Sequence, residues 1–250
     1  GESKVVDGIT VRRIRALVNF QTHHIAVAAG TVGGWIEDAI NLPAYGGNSW
    51  VHDEAIVFGN AAVLDNATVR DYAIVGEYAM VRDCSQVRGS ATIGGHCNLL
   101  DNSLVRDQAR LYGNVKMVGA ARVSDRAIVS GDSYLCENTR IGGDAVVVGS
   151  RVRHQASVAG NASVQHSQVL DRSSVSGDAR LEFATLRDDA IASGTAQIDN
   201  VVVCNSMEID MGIARDYTPV NVRGLRYDIT ITDNHLSAGC QTHTFDQWRK

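Results

Sequence analysis

From Val51 to about Val203 an aliphatic residue recurs every six positions, with a small residue four places after it and mostly polar residues between. The frame reads VHDEAI at 51, VFGNAA at 57, VLDNAT at 63, VRDYAI at 69 and VGEYAM at 75, and twenty-six such units fit. The first position is Val, Ile, Leu or Met in every unit but the one at Ala192. The fifth is Ala, Ser, Thr, Val or Cys in all but two. A strict period of six does not supply the 3.6-residue stripe of an amphipathic helix. It does let one large and one small side chain enter a narrow interior while the residues between them face water. Three such units make one triangular coil, so the pattern predicts an all-β, single-stranded parallel β-helix of eight to nine coils, each short strand pairing with the coil above and below.

Sorting the units onto three faces sharpens this reading. One face collects Val57, Val75, Ile93, Leu111, Val129, Val147, Val164, Leu181 and Ile198, the next starts at Val63 and the third at Val51. Up to Val147 each coil is three full hexads. Beyond it each coil is shorter by one position, because VVGSR at 147, VQHSQ at 164 and LEFAT at 181 are pentads, always on the same face. A shortening repeated at one corner can stack on itself. Arg151 and Gln168, the two large fifth-position residues, fall in these units and are expected to point outward, since a buried guanidinium is costly.

Three regions follow: an N-terminal cap over 1–50, the β-helix over 51–203 and a C-terminal cap or assembly segment over 204–250. The first contains ITVRRIRALVNF, a candidate for one or two strands, and a glycine-rich stretch with Trp35 and Trp50, expected to lie over the end of the apolar column. The last contains Pro219, a candidate strand LRYDITITD and a short helix in TFDQWRK. The chain has 250 residues, 44% hydrophobic but only 6% aromatic, which suits a thin core of small aliphatic side chains. Its net charge of −5 comes from interleaved charges with no basic block, and no long apolar run suggests a membrane span. No signal-like hydrophobic segment opens the sequence. Five cysteines without framework spacing fit a reducing compartment, so a cytoplasmic location is expected. Cys97 stands at a small inward position and is expected to be a buried thiol.

The hexads resemble those of the hexapeptide-repeat left-handed β-helix superfamily, over about 150 of the 250 residues. The resemblance implies a left-handed coil and a homotrimer. For its acyltransferase members it implies acyl-CoA in the groove between subunits and a histidine that deprotonates the acceptor. That histidine commonly sits near a projecting loop, and no such loop interrupts the repeat. The segments GGWIED and SWVHDEAIVFGNA, and the tail ITITDNHLSAGCQTHTFDQW, are similar to polymer-forming or phage-type repeat proteins with no established activity. This is the nearer resemblance, and with a phage origin the host cytoplasm would be the location.

Candidate chemistry is sparse. His154, His166 and His96 occupy outward positions and are the candidates for a general base at a subunit groove, set against the plainer reading of solvated surface residues. His235, Cys240 and His243 form an H-x4-C-x2-H spacing suitable for zinc, with a fourth ligand from Cys204, His23, His24 or another subunit. The spacing matches no well-specified zinc motif. Recurrent RD and DR pairs are expected to form charge ladders on successive coils, or a flat partner surface. The sequence therefore supports a non-enzymatic structural or interaction protein that binds a protein partner or inhibits a host factor through rigid faces. The alternatives are an acyl-CoA-dependent acyltransferase, for which acetyl-CoA is the cofactor, and a small-ligand or metal-binding module. Neither nucleic acid nor membrane is expected as a partner.

Overall fold

The computed structural model describes residues 1–43, 47–215, 219–222, 229–239 and 241–250. The chain divides into two compact units, Gly1–Glu137 and Asn138–Lys250. Each is a stretch of parallel β-helix with additions at one end, the class expected from the hexads.

In the first unit three parallel ladders run along the coils. One contains Val32–Ile36, Ile56–Val57, Ile74–Val75, Thr92–Ile93, Arg110–Leu111 and Ile128–Ser130. From Ile56–Val57 onward its partners lie one full coil of three hexads apart, as in Val75↔Ile93 and Ile93↔Leu111. In each two-residue rung the first side chain faces out and the second faces in, so the aliphatic first position of every hexad enters the interior. Val57, Val63, Val69, Val75, Val81 and Val87 have no exposed surface, and neither do the small residues Ala55, Ala61, Ala67, Ala73 and Ala79. Cys97 is fully buried at its small position, as expected, and loss of hydration pushes its thiol up to about 11.

The second unit repeats the arrangement with the shortened coil, pairing Val147 with Val164 and Val158 with Val175. The short corner has a definite chemistry. Arg151 and Gln168 pair with each other in adjacent rungs and face outward. The inward position is taken one residue earlier, by the buried Ser150, Ser167 and Ala184. The Ser150 hydroxyl accepts the Ser167 N–H at 3.0 Å, and that of Ser167 accepts the Ala184 N–H at 3.0 Å. A serine ladder thus satisfies main-chain donors in the tightened turn.

Between rungs the chain turns through a residue with positive φ. In the first unit glycine fills this place at Gly59, Gly89 and Gly95, and acidic residues fill it at Asp53, Asp65, Asp71, Glu77, Asp83, Asp101, Asp107 and Asp125. The left-handed region is closed to most side chains but open to glycine and tolerable for Asp and Asn. At these corners the carboxylate also reaches the coil above. Asp71 accepts the Gly89 N–H at 2.7 Å, Asp83 that of Asp101 at 2.9 Å, and Asp101 that of Gly119 at 2.8 Å.

The three ladders hold between nine and eleven parallel rungs each over the two units. That is about ten coils, more than the eight to nine of the hexad count. The extra rungs come from Val32–Ile36, which pairs in parallel with Ile56–Val57, and from Glu208–Ile209 and Ile213–Ala214. In these segments the main-chain ladder persists although the sequence has lost the six-residue frame.

Ahead of the first coils, Ser3–Val6 and Ile9–Arg15 form an antiparallel hairpin that continues antiparallel onto Val32–Ile36. Glu54 ties it down, accepting from Trp35 Nε1 at 2.9 Å, Arg13 at 2.6 Å and Lys4 at 3.2 Å. Asn41 is fully buried and fully satisfied. Its amide donates to Gly59 and Ala61 carbonyls, and its oxygen accepts the Glu37 and Asp38 N–H groups. Trp50 packs edge-on to Phe20 over Ala16 and Val27.

In the second unit, Val220–Val222, Ile229–Ile231, His235–Ala238 and Gln241–Thr244 form an antiparallel sheet. The helix Phe245–Trp248 follows, opened by a Thr244–Gln247 capping box. Residues 225–228 of the expected strand lie outside the described residues, and its remainder is the strand Ile229–Ile231.

The corner carboxylates carry a stability prediction. Asp101→Asn keeps both an acceptor and tolerance for positive φ and stays within about 0.5 kcal/mol of the parent. Asp101→Ala loses both and costs about 1–2 kcal/mol, read as a shift in urea midpoint. Glu54 predicts a pH dependence. The hydrogen bond from Trp35, then that from Arg13, hold its pKa down at about 2, against 4.5 for the free side chain. A depressed folded-state pKa contributes stability that is full above the unfolded value and is lost as pH falls from 4.5 toward 2. Glu54→Gln therefore flattens the midpoint-against-pH profile in that window. The effect is modest, because the carboxylate is 44% exposed and partly screened by solvent.

Candidate functional site

The candidate histidines of the coils stand at corners, and their surroundings follow from the stacking. His96 is exposed and lies flat on Tyr78 of the preceding coil, ring centres 4.7 Å apart and planes 10° apart. His166 stacks on Phe183 at 5.3 Å and 13°. Both His166 and Phe183 have positive φ at the shortened corner, a conformation unusual for such side chains, and the His166 ring covers Gly149. These two histidines are members of exposed aromatic stacks worth on the order of 1 kcal/mol each.

His154 occupies the positive-φ corner of its coil, on the face where the first unit places Asp65, Asp83 and Asp101. It makes the same bond as they do. Its Nδ1 accepts the Asp171 N–H at 3.2 Å, and the Asp171 carboxylate in turn accepts the Asp188 N–H at 3.1 Å. Asp171 Oδ1 is also 3.1 Å from Nδ1. With the proton on Nε2 the neutral ring accepts the main-chain N–H at Nδ1, and with the proton on Nδ1 it donates to Asp171 Oδ1 and its lone pair lies on Nε2. A protonated ring likewise gives Nδ1–H to Asp171 Oδ1.

His154 and His166, the paired candidates, therefore lie at two different corners, each engaged by its own column. Beside His154 in sequence, Gln155 and Ser157 join Asn138 and Arg140 in lining a polar recess of about 340 Å³. Arg140 is the cation in that lining.

In the tail, the strand register places His235 opposite Thr244 and His243 opposite Leu236. Since side chains alternate between faces, His235 and His243 point to opposite sides of the sheet. His235 Nδ1 meets Asn234 Oδ1 at 3.0 Å, and the His243 ring packs against Trp248 at 5.2 Å. Cys240 lies outside the described residues. Among the described residues no group of three His, Cys, Asp or Glu side chains is placed to hold a metal ion. Cys204 accepts from the Asn205 amide, and His24 contacts the Cys84 carbonyl at 3.0 Å and the Gln86 amide at 3.1 Å.

The charge ladders expected from RD and DR pairs are present in part. Arg172 grips Asp189 with two bonds of 2.6 and 2.7 Å, and Arg82 lies 3.7 Å from Asp65. The hydrogen bond with Asp189 raises the Arg172 pKa and lowers that of Asp189. Sequence reasoning did not find Asn41, Glu54 or His52. Burial lowers the His52 pKa, and its Nε2 is enclosed without a hydrogen-bond partner. His52 follows Val51 in an ordinary hexad, so only its packing sets it apart.

Comparison with known proteins adds to the fold and little to the site. Residues 140–155 match the model of the YdcK β-solenoid repeat. Among solved structures the chain is similar to a UDP-N-acetylglucosamine O-acyltransferase from Moraxella catarrhalis, at 14% identity over 59% of this chain and 68% of that one, with a TM-score of 0.30. No curated protein matches the chain.

The column at His154 predicts an exchange. His154→Asp restores the corner residue of the first unit and holds the urea midpoint within about 0.5 kcal/mol. His154→Ala removes the acceptor and costs about 1 kcal/mol. The six-residue frame and the parallel ladders give the chain the fold of a hexapeptide-repeat β-helix.

Proposed function

We propose that this chain is a non-enzymatic scaffold whose coil faces dock a protein partner, and that three copies assemble through those faces. The feature that supports the reading is the uninterrupted repeat, whose coils carry no projecting loop among the described residues. His154 is held in its corner column, with Nδ1 in reach of both the Asp171 N–H and the Asp171 carboxylate. His96 and His166 are engaged as stacking surfaces. The connections between rungs are short turns along the coils of both units, so the outward residues form flat, regular arrays of charge and aromatic surface. Such arrays suit a rigid partner face. Inhibition of a host factor and a phage origin are finer readings that rest on the resemblance of GGWIED and of the tail. The free thiols Cys84, Cys97, Cys136 and Cys204 support a reducing compartment such as the cytoplasm. No described helix is long and apolar enough to cross a membrane.

One observation favours the acyltransferase alternative. Arg140 lines a polar recess next in sequence to His154, and a guanidinium is the group a CoA phosphate would require.

Thermal unfolding with acetyl-CoA separates the two. A ligand at a hundred times its dissociation constant stabilises by about 2.7 kcal/mol, so an acyltransferase would show a concentration-dependent rise in Tm that Arg140→Gln abolishes. The scaffold reading expects the Tm to be unchanged at millimolar acetyl-CoA. It also expects a native mass that is a multiple of three 26.8 kDa chains.

A further inference from the structure

The N-terminal unit carries an apolar hole and an apolar knob on one surface. The hole, of about 540 Å³, is walled by Ile14, Phe20, Ile36, Leu42 and Trp50 among others. At its edge the turn after Ile9–Arg15 presents Leu17 and Val18, which are 89% and 65% exposed. Leu17 is the most exposed large hydrophobic residue described, and Ile40, from the short helical turn Ala39–Asn41 whose Ala39 lines the hole, is 53% exposed. Monomeric surfaces scatter such residues singly, whereas a cluster of them around a concavity marks a contact.

Two features choose the occupant. Knob and hole lie on the same patch, so two copies turned about a two-fold axis can each seat Leu17 and Val18 in the hole of the other, which is the self-complementarity an isologous contact demands. The charges around it also suit self-docking. Arg15 lines the hole, and Asp38 caps the helical turn whose Ala39 lines it too, so the patch holds both signs and need not oppose like charges across the axis. We infer that this patch is a cap-to-cap interface between two copies of the chain.

This inference goes beyond the proposed function, and the two can fail separately. If coil faces assemble three copies, cap contacts join two such trimers into six chains; if they do not, cap contacts make a dimer. In both cases the cap variant halves the assembly. The test is sedimentation velocity on the full chain at matched tens-of-micromolar concentration, comparing the parent with Leu17→Asp combined with Val18→Asp. Both positions are exposed, so the fold should survive, and an unchanged melting curve checks it. A second variant, Ala39→Trp, places a large side chain at an exposed position of the lining and leaves Leu17 and Val18 themselves unsubstituted. The expected result is a two-fold fall in mass for each variant. Equal masses for parent and variants overturn the interface. So does a parent mass of three chains or one, since a two-fold contact leaves an even number. If the parent keeps its mass but binds decanoate saturably, and Ala39→Trp abolishes that binding, the hole belongs to a small apolar anion and the inference is wrong.

Discussion

The main-chain ladder between successive coils is the interaction on which everything else in this protein depends. Most rungs are only two or three residues long, too short to be stable alone, and each gains its hydrogen bonds from the chain one full coil away. The ladder imposes two demands on each hexad. One residue must enter a narrow interior, and one must turn the corner with positive φ. Aliphatic residues meet the first demand. Glycine, Asp and Asn meet the second at most corners, with Glu77, Glu137, His154, His166 and Phe183 as the exceptions.

The corners make an unusual use of charge. Stacked carboxylates one coil apart repel one another. Yet Asp65, Asp83 and Asp101 stand in one column, because each accepts a main-chain N–H that otherwise has only water to bond. A hydrogen bond to an ionised acceptor is the stronger kind, and here it offsets the repulsion. The same geometry explains His154, which joins such a column through Nδ1, in reach of the Asp171 N–H and carboxylate. A histidine on a coil is thus a poor indicator of catalysis until its corner bond is known. At the tightened corner of the second unit, serine hydroxyls take the place of carboxylates and bond the donors from inside the turn.

The ends of the repeat follow a different logic. An exposed stack end would recruit further strands, and the antiparallel hairpin before the first coils extends one of the three ladders there. This cap is held by specific polar groups more than by bulk burial: Asn41 with four main-chain bonds, and Glu54 with three side-chain donors. It is also where the apolar surface is most exposed, at Leu17 and Val18. The coil faces and the cap are therefore chemically distinct surfaces, one polar and periodic, the other apolar and irregular.

Fold class, coil length, the loss of one position per coil beyond Val147 and the inward identity of each aliphatic residue were all legible in the sequence. They depend on a period, and each repetition restates the same local constraint. The rungs at Val32–Ile36 and Ile213–Ala214 were not legible, because a main-chain ladder needs a neighbour in register and not a particular side chain. That Arg151 and Gln168 turn outward was legible, but the sequence could not show that Ser150 and Ser167 fill the short corner, since that depends on which atom of a tightened turn reaches the coil above. The candidate site had the same limit. His154, His166 and His96 were recognisable as outward residues, but only stacking of one coil on the next decided whether each ring met a main-chain N–H, a phenyl or a tyrosine. His235 and His243 were separated by a strand register that no spacing rule encodes. The sequence by itself determined what recurs with the period, and the tertiary structure decided every contact made once, between residues a full coil or a hairpin apart.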